Sequence, residues 1–148
     1  MTRQRSSRPR AEEGTVTVLI VGFMVVLAML VAAVVDASAA YLQREAMHAL
    51  ADGAVLAAAD GAQGEQVYTT GLGEQAQIDP SAARAHVTDY LSATGAAADH
   101  PGLSWQVSSD GAVVSVRVSA PLDLPITPAG WQESTIVTGA ASAVVDIR

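Results

Sequence analysis

The chain contains no cysteine, no lysine and no asparagine. Without cysteine there are no disulfide staples, no thiolate nucleophile, no Cys-ligated zinc and no iron–sulfur cluster. Without lysine, all eight basic residues are Arg, and they face 15 acidic residues for a formal net charge of −7. That balance argues against a nucleic-acid partner, because neutralising phosphates takes Lys and Arg in quantity. Aromatic residues are scarce at 4% of the chain: Phe23, Tyr41, Tyr68, Tyr90, Trp105 and Trp131. A domain built from so few large rings has a thin, aliphatic core. Proline is missing between Pro9 and Pro80, so nothing obliges a helix to stop there.

Catalytic patterns are missing as well. The three histidines, His48, His86 and His100, show neither His-x-x-x-His nor His-Glu-x-x-His spacing. His48 and Asp52 are four apart, a spacing that makes a surface pair on a helix more readily than a relay. There is no Gly-x-Ser-x-Gly elbow and no EF-hand loop. Gly71-Leu72-Gly73 lacks the third glycine, the preceding strand and the following helix of a phosphate-binding loop. The acidic residues are dispersed, as on a solvated surface. The sequence predicts no enzyme, no metal site and no cofactor.

What is present begins with one long apolar run. From Thr15 to Val35 the chain reads TVTVLIVGFMVVLAMLVAAVV, 21 residues without a charge. At about 1.5 Å per residue this helix is roughly 30 Å long, the thickness of a bilayer core. The run predicts a transmembrane helix. Residues 1–13 carry Arg3, Arg5, Arg8 and Arg10, whereas residues 36–148 carry four basic and 13 acidic residues. Basic short flanks stay in the cytoplasm. A cell-membrane protein is therefore expected, single-pass, with its N-terminus inside and its C-terminal part outside. The competing reading is a secreted or tethered envelope-binding module, released by signal peptidase after Ala39, since Ala37-Ser38-Ala39 fits the small-x-small pattern. Against it, the apolar run exceeds the roughly 7–15 residues of a signal-peptide core.

Beyond Val35 the helical pattern continues without a breaker to Ala62. Leu42, Ala46, Ala49, Leu50 and Leu56 recur at helical spacing with Arg44, Glu45, His48 and Asp52 between them, predicting an amphipathic helix. Small residues recur every four positions at Ala49, Gly53, Ala57 and Gly61. Two readings stand: a ridge that admits a partner helix at close range, or a plain alanine-rich helix. Asp36, at the outer edge of the span, also has two: a charge that marks the end of the span, or a carboxylate paired with a partner's cation.

The stretch from Gly14 to Ala62 resembles the TadE/TadG-like proteins of tight-adherence (Flp) pilus assembly. The resemblance rests on Gly14 before the apolar run, Val35-Asp36 at its outer edge, Tyr41, Gln43, and the ending Asp52-Gly53-Ala54-Val55-Leu56-Ala57-Ala58-Ala59. No Glu stands five residues after Gly14, where processed pilins of this kind carry one, so the segment is closer to the TadG-like branch. The resemblance implies a structural or accessory role in the pilus machine or a related secretion system. It also implies other pilin-like proteins and the assembly platform as partners, with homo- or hetero-oligomers formed through the small-residue ridge.

Residues 63–78, rich in Gly and Gln, read as a linker. Residues 79–148 read as a small exported unit. Asp79-Pro80 starts a short helix with Ala83, Val87, Tyr90 and Leu91 on one face and Gly95 at its end. Leu103, Trp105 and Val107 alternate with polar residues, as do Val114, Val116 and Val118 beyond the turn signal Asp110-Gly111. A third run from Ser134 to Ile147 completes a small antiparallel three-stranded sheet, with Gly139 marking a bulge or a close approach. Trp105 is expected to fill the core. Trp131, in a Pro/Gly-rich stretch, either anchors a partner or plugs the sheet edge. The fold class is α+β and membrane-anchored. Its domains are a basic tail (1–13), the transmembrane and extended helix (14–62), a linker (63–78) and a pilin-like αβ unit (79–148).

Overall fold

The computed structural model describes residues 11–69, 79–110, 112–126 and 135–144. The order of elements is α1 (Ala11–Thr69), α2 (Pro80–Ala93), α3 (Ala96–Asp99), β1 (Ser104–Asp110), β2 (Val113–Pro121) and β3 (Ile136–Val144). The predicted architecture of a long N-terminal helix, a short helix and a three-stranded antiparallel sheet is the one observed. The sheet order is β1-β2-β3. The Asp110-Gly111 signal falls within a hairpin, because Asp110 pairs with Val113 on either side of it. Gly111 itself lies outside the described residues, as do the Gly71-Leu72-Gly73 stretch and Trp131.

α1 is one helix of 59 residues, roughly 90 Å long at 1.5 Å per residue. It continues through 63–69, where the sequence predicts a linker. Gln, Glu and Tyr are tolerated in helices, and Gly64 alone does not outweigh them. The helix also runs unbroken through Ala37-Ser38-Ala39, where the Ser38 hydroxyl donates to the Val34 carbonyl at 2.8 Å.

α2 begins where the sequence places it. Asp79 is the N-cap, its carboxylate accepting the Ser81 N–H at 2.8 Å and the Ser81 hydroxyl at 2.7 Å. Gly95, at φ 70°, turns the chain at the other end, a left-handed conformation that glycine adopts without cost. α3, a single turn after Gly95, has no distinct periodic signal in the sequence.

The sheet is polar on one face and apolar on the other. Val114, Val116, Val118 and Ala120 of β2 are buried, while Ser115 and Ser119 point the other way and join Ser142 and Thr138 of β3 by hydroxyl contacts of 2.8 and 3.0 Å. Against the apolar face lies α1, which buries Met47, Ala51, Ala54, Val55, Ala58 and Ala59. α2 adds Ala83, Val87 and Leu91. The core is thus valine and alanine, without a buried aromatic ring among the described residues. The C-terminal half of α1 is the helix on which the sheet is built.

The apolar pattern read along α1 does not mark its buried face. Leu42 and Leu56 are 66% and 59% exposed and Ala49 is exposed too. The buried face of α1 is the smaller-residue face, because β3 approaches the helix backbone itself. A Cβ on Gly139 would overlap the Met47 carbonyl group and the His48 N. Trp105 is 37% exposed on the edge strand β1, since a valine–alanine interface this close has no room for an indole.

Candidate functional site

The apolar stretch of α1 is long enough to cross a membrane, and none of its most apolar part is buried by the rest of the chain. From Val16 to Val35 the large side chains point outward. Exposed as large apolar side chains, they are suited to lipid. This exposed stretch gives way at Asp36 to residues that contact the rest of the chain.

At that boundary the two polar residues of the helix motif bind the same loop. Residues 122–126 follow β2 and run back along α1. The Gln43 amide donates through Nε2 to the Pro121 carbonyl at 2.6 Å, and its Oε1 accepts the Asp123 N–H at 3.1 Å. The side-chain amide thereby acts as a short piece of β-ladder. Seven residues earlier, Asp36 Oδ1 accepts the Ile126 N–H at 3.1 Å. The spacing fits: seven helical residues rise about 10.5 Å, and three extended residues, from 123 to 126, reach roughly 10 Å. The start of the loop, next to β2, is held by Leu122 N–H donating to the Thr135 carbonyl at 2.7 Å. Asp36 therefore has a partner within the chain, the Ile126 N–H. Tyr41, between the two clamping residues, is 68% exposed.

The small-residue ridge also meets a helix, and that helix is α2. A Cβ on Gly53 would overlap the Tyr90 ring, and one on Gly61 would overlap the His86 imidazole. His86 and Tyr90 are one turn apart on α2, so each sits in the notch left by one glycine. Ala57, between the glycines, is half-buried, and Ala49 stays exposed. The close approach expected of Gly53 and Gly61 is made inside one chain.

Of the partner-contact candidates Asp36, Ala49, Gly53, Ala57, Gly61 and Trp131, the structure gives Asp36, Gly53 and Gly61 contacts within the chain, leaves Ala57 half-buried and Ala49 exposed, and does not describe Trp131. It gives Gln43 a function that no local pattern reveals, because its partners lie some eighty residues away. Among the described residues no cluster of three or more His, Asp or Glu gathers as a metal site.

No curated protein and no solved structure matches the chain. Residues 14–62, which hold the span, the clamp and the small-residue ridge, do match a family model, described as putative Flp pilus-assembly TadE/G-like. This third of the chain is similar to TadE/G-like proteins, a similarity that supports involvement in Flp pilus assembly.

Proposed function

We propose that the protein is a single-pass structural component of a tight-adherence (Flp-type) pilus assembly machine, with residues 1–13 cytoplasmic and the domain from Asp36 onward outside. The observation that carries this reading is the continuity of α1. One helix carries the TadE/G-like match, contains the apolar span and then becomes the helix on which the outer sheet packs. A load on the outer domain passes to the membrane without a flexible joint. The basic N-terminal flank and acidic outer part support the orientation.

Its partners in this reading are other pilin-like proteins and the assembly platform. Gly53 and Gly61 are occupied by α2, so the contact falls to the outward stripe of α1 that contains Ala49. Leu42, Ala49 and Leu56 recur every seven residues there and are exposed. A seven-residue apolar repeat suits a second parallel helix anchored in the same membrane.

Two measurements test the proposal. Alkaline phosphatase fused after Arg148 is active in intact cells; an inactive, fully expressed fusion refutes the orientation. Leu42→Glu with Leu56→Glu abolishes co-purification of pilin-like partners from detergent-solubilised membranes, with the domain still folded. Full partner recovery by that variant refutes the stripe.

A further inference from the structure

The stretch clamped by Asp36 and Gln43, residues 121–126, reaches the level of the bilayer boundary, and we propose that it is a second membrane contact, with Ile126 seated in the outer leaflet where headgroups meet acyl chains. The inference rests on the reading of residues 15–35 as a membrane span. If Val35 is the last residue in hydrocarbon, Asp36 sits at the interface. The Ile126 N–H lies 3.1 Å from the Asp36 carboxylate, which sets the depth of Ile126. Its side chain is 46% exposed beside the helix that carries the span.

The loop's chemistry suits that position. Residues 124–126 are Leu-Pro-Ile, without charge. An apolar interface penalises unsatisfied backbone donors. Pro121 and Pro125 have no N–H, and the N–H groups of Leu122, Asp123 and Ile126 donate to Thr135, Gln43 and Asp36. The loop thus reaches the boundary with few donors to leave unpaired. The only charge in residues 121–126 is Asp123, so the contact is with the apolar part of a zwitterionic or neutral interface and needs no anionic lipid. Two points of attachment, helix and loop, fix how the outer domain leans on the membrane where a helix alone would leave it free to rotate.

The cysteine-free chain allows a direct test with single-cysteine variants of the full protein. Ile126→Cys, Phe23→Cys and Val144→Cys are each labelled with an environment-sensitive fluorophore and reconstituted into phosphatidylcholine vesicles. Ile126→Cys keeps the backbone N–H that Asp36 accepts and changes an exposed side chain, so the fold is retained. The probe at 23 is quenched by spin-labelled lipid deep in the bilayer. That at 144, at the far end of the sheet, is quenched by aqueous iodide alone. That at 126 is quenched by lipid spin-labelled near the glycerol backbone and shielded from iodide. Should 126 behave like 144 while 23 remains in lipid, the loop contact is refuted and the span stands. Should 23 itself be reached by iodide, the span fails and the loop contact with it. A probe at 126 shielded from both quenchers identifies a protein cover and also overturns the proposal.

Discussion

Substituting Gly139 by Ala tests how the outer sheet is held to the membrane helix. In an ordinary strand position this change is favourable by roughly 0.5–1 kcal/mol, because alanine loses less backbone freedom on folding. Here the added methyl would overlap the Met47 carbonyl and the His48 N, which are helix backbone and cannot rotate away. The helix and β3 must separate by about 1 Å, and such a gap forfeits a quarter to a half of the dispersion energy at each contact. The loss falls on the α1 face that supplies Met47, Ala51, Ala54, Val55 and Ala58 to the core. Overpacking of this kind costs about 1–3 kcal/mol. Near the middle of that range, the folded-to-unfolded ratio falls roughly 30-fold, a large share of a small domain's stability. The assay is urea titration of the full chain in lipid nanodiscs, followed by tryptophan fluorescence. With a urea slope of about 1–3 kcal/mol per M, the midpoint should drop by about 1 M. Ala140→Ser, on the exposed side of the same strand, should leave it in place. An unchanged or raised midpoint for Gly139→Ala would refute the close helix–strand packing.

Three further outcomes follow from the same geometry. Gln43→Ala removes an acceptor and a donor from the loop after β2, at roughly 1 kcal/mol per hydrogen bond; amide exchange at Asp123 should accelerate about tenfold while exchange in β2 holds. Asp79 keeps its carboxyl below the ordinary value because the Ser81 hydroxyl and then the Ser81 N–H donate to it. The sign follows: a carboxylate depressed in the folded state stabilises the start of α2 above the usual Asp range and loses that effect as pH falls through the lowered value. Acid titration of the Ser81 amide shift should report the loss, and Asp79→Asn should flatten it. Intact mass of the membrane-extracted protein should include residues 15–35; a chain starting at Ala40 would establish the secreted form and would also lack the Asp36 acceptor.

Much of this arrangement is legible in local sequence patterns. The span, the capped helix from Asp79 to Gly95 and the alternating β1 and β2 each follow from a periodicity or a capping residue within one segment. The face that α1 buries does not. Hydropathy favours Leu42 and Leu56 as core, but depth of approach decides otherwise, and that depth is set by Gly139, some ninety residues further on. Trp105 is misplaced by the same logic, since a close valine–alanine interface excludes the ring that hydropathy would put there. Gln43 is the clearest case. A polar residue on an amphipathic helix has no local mark to separate solvent from a loop near residue 121.

The spacing of Asp36 and Gln43 has a physical consequence for a protein that is both anchor and outer domain. A single helix crossing into water couples the two halves in bending only as far as its own turns resist it. Two side chains seven residues apart, tied to amides three residues apart in one loop, brace α1 from Asp36 to Gln43. The bracing hydrogen bonds are partly exposed, so each contributes modestly. Their position matters more than their strength. They lie at the boundary where the flanking support changes from lipid to protein and where an unbraced helix has neither. A helix of nearly sixty residues with few large side chains in its outer half would otherwise depend on its alanine face alone. The motif at the outer edge of the span thus joins the membrane part of the TadE/G-like segment to the domain that follows it.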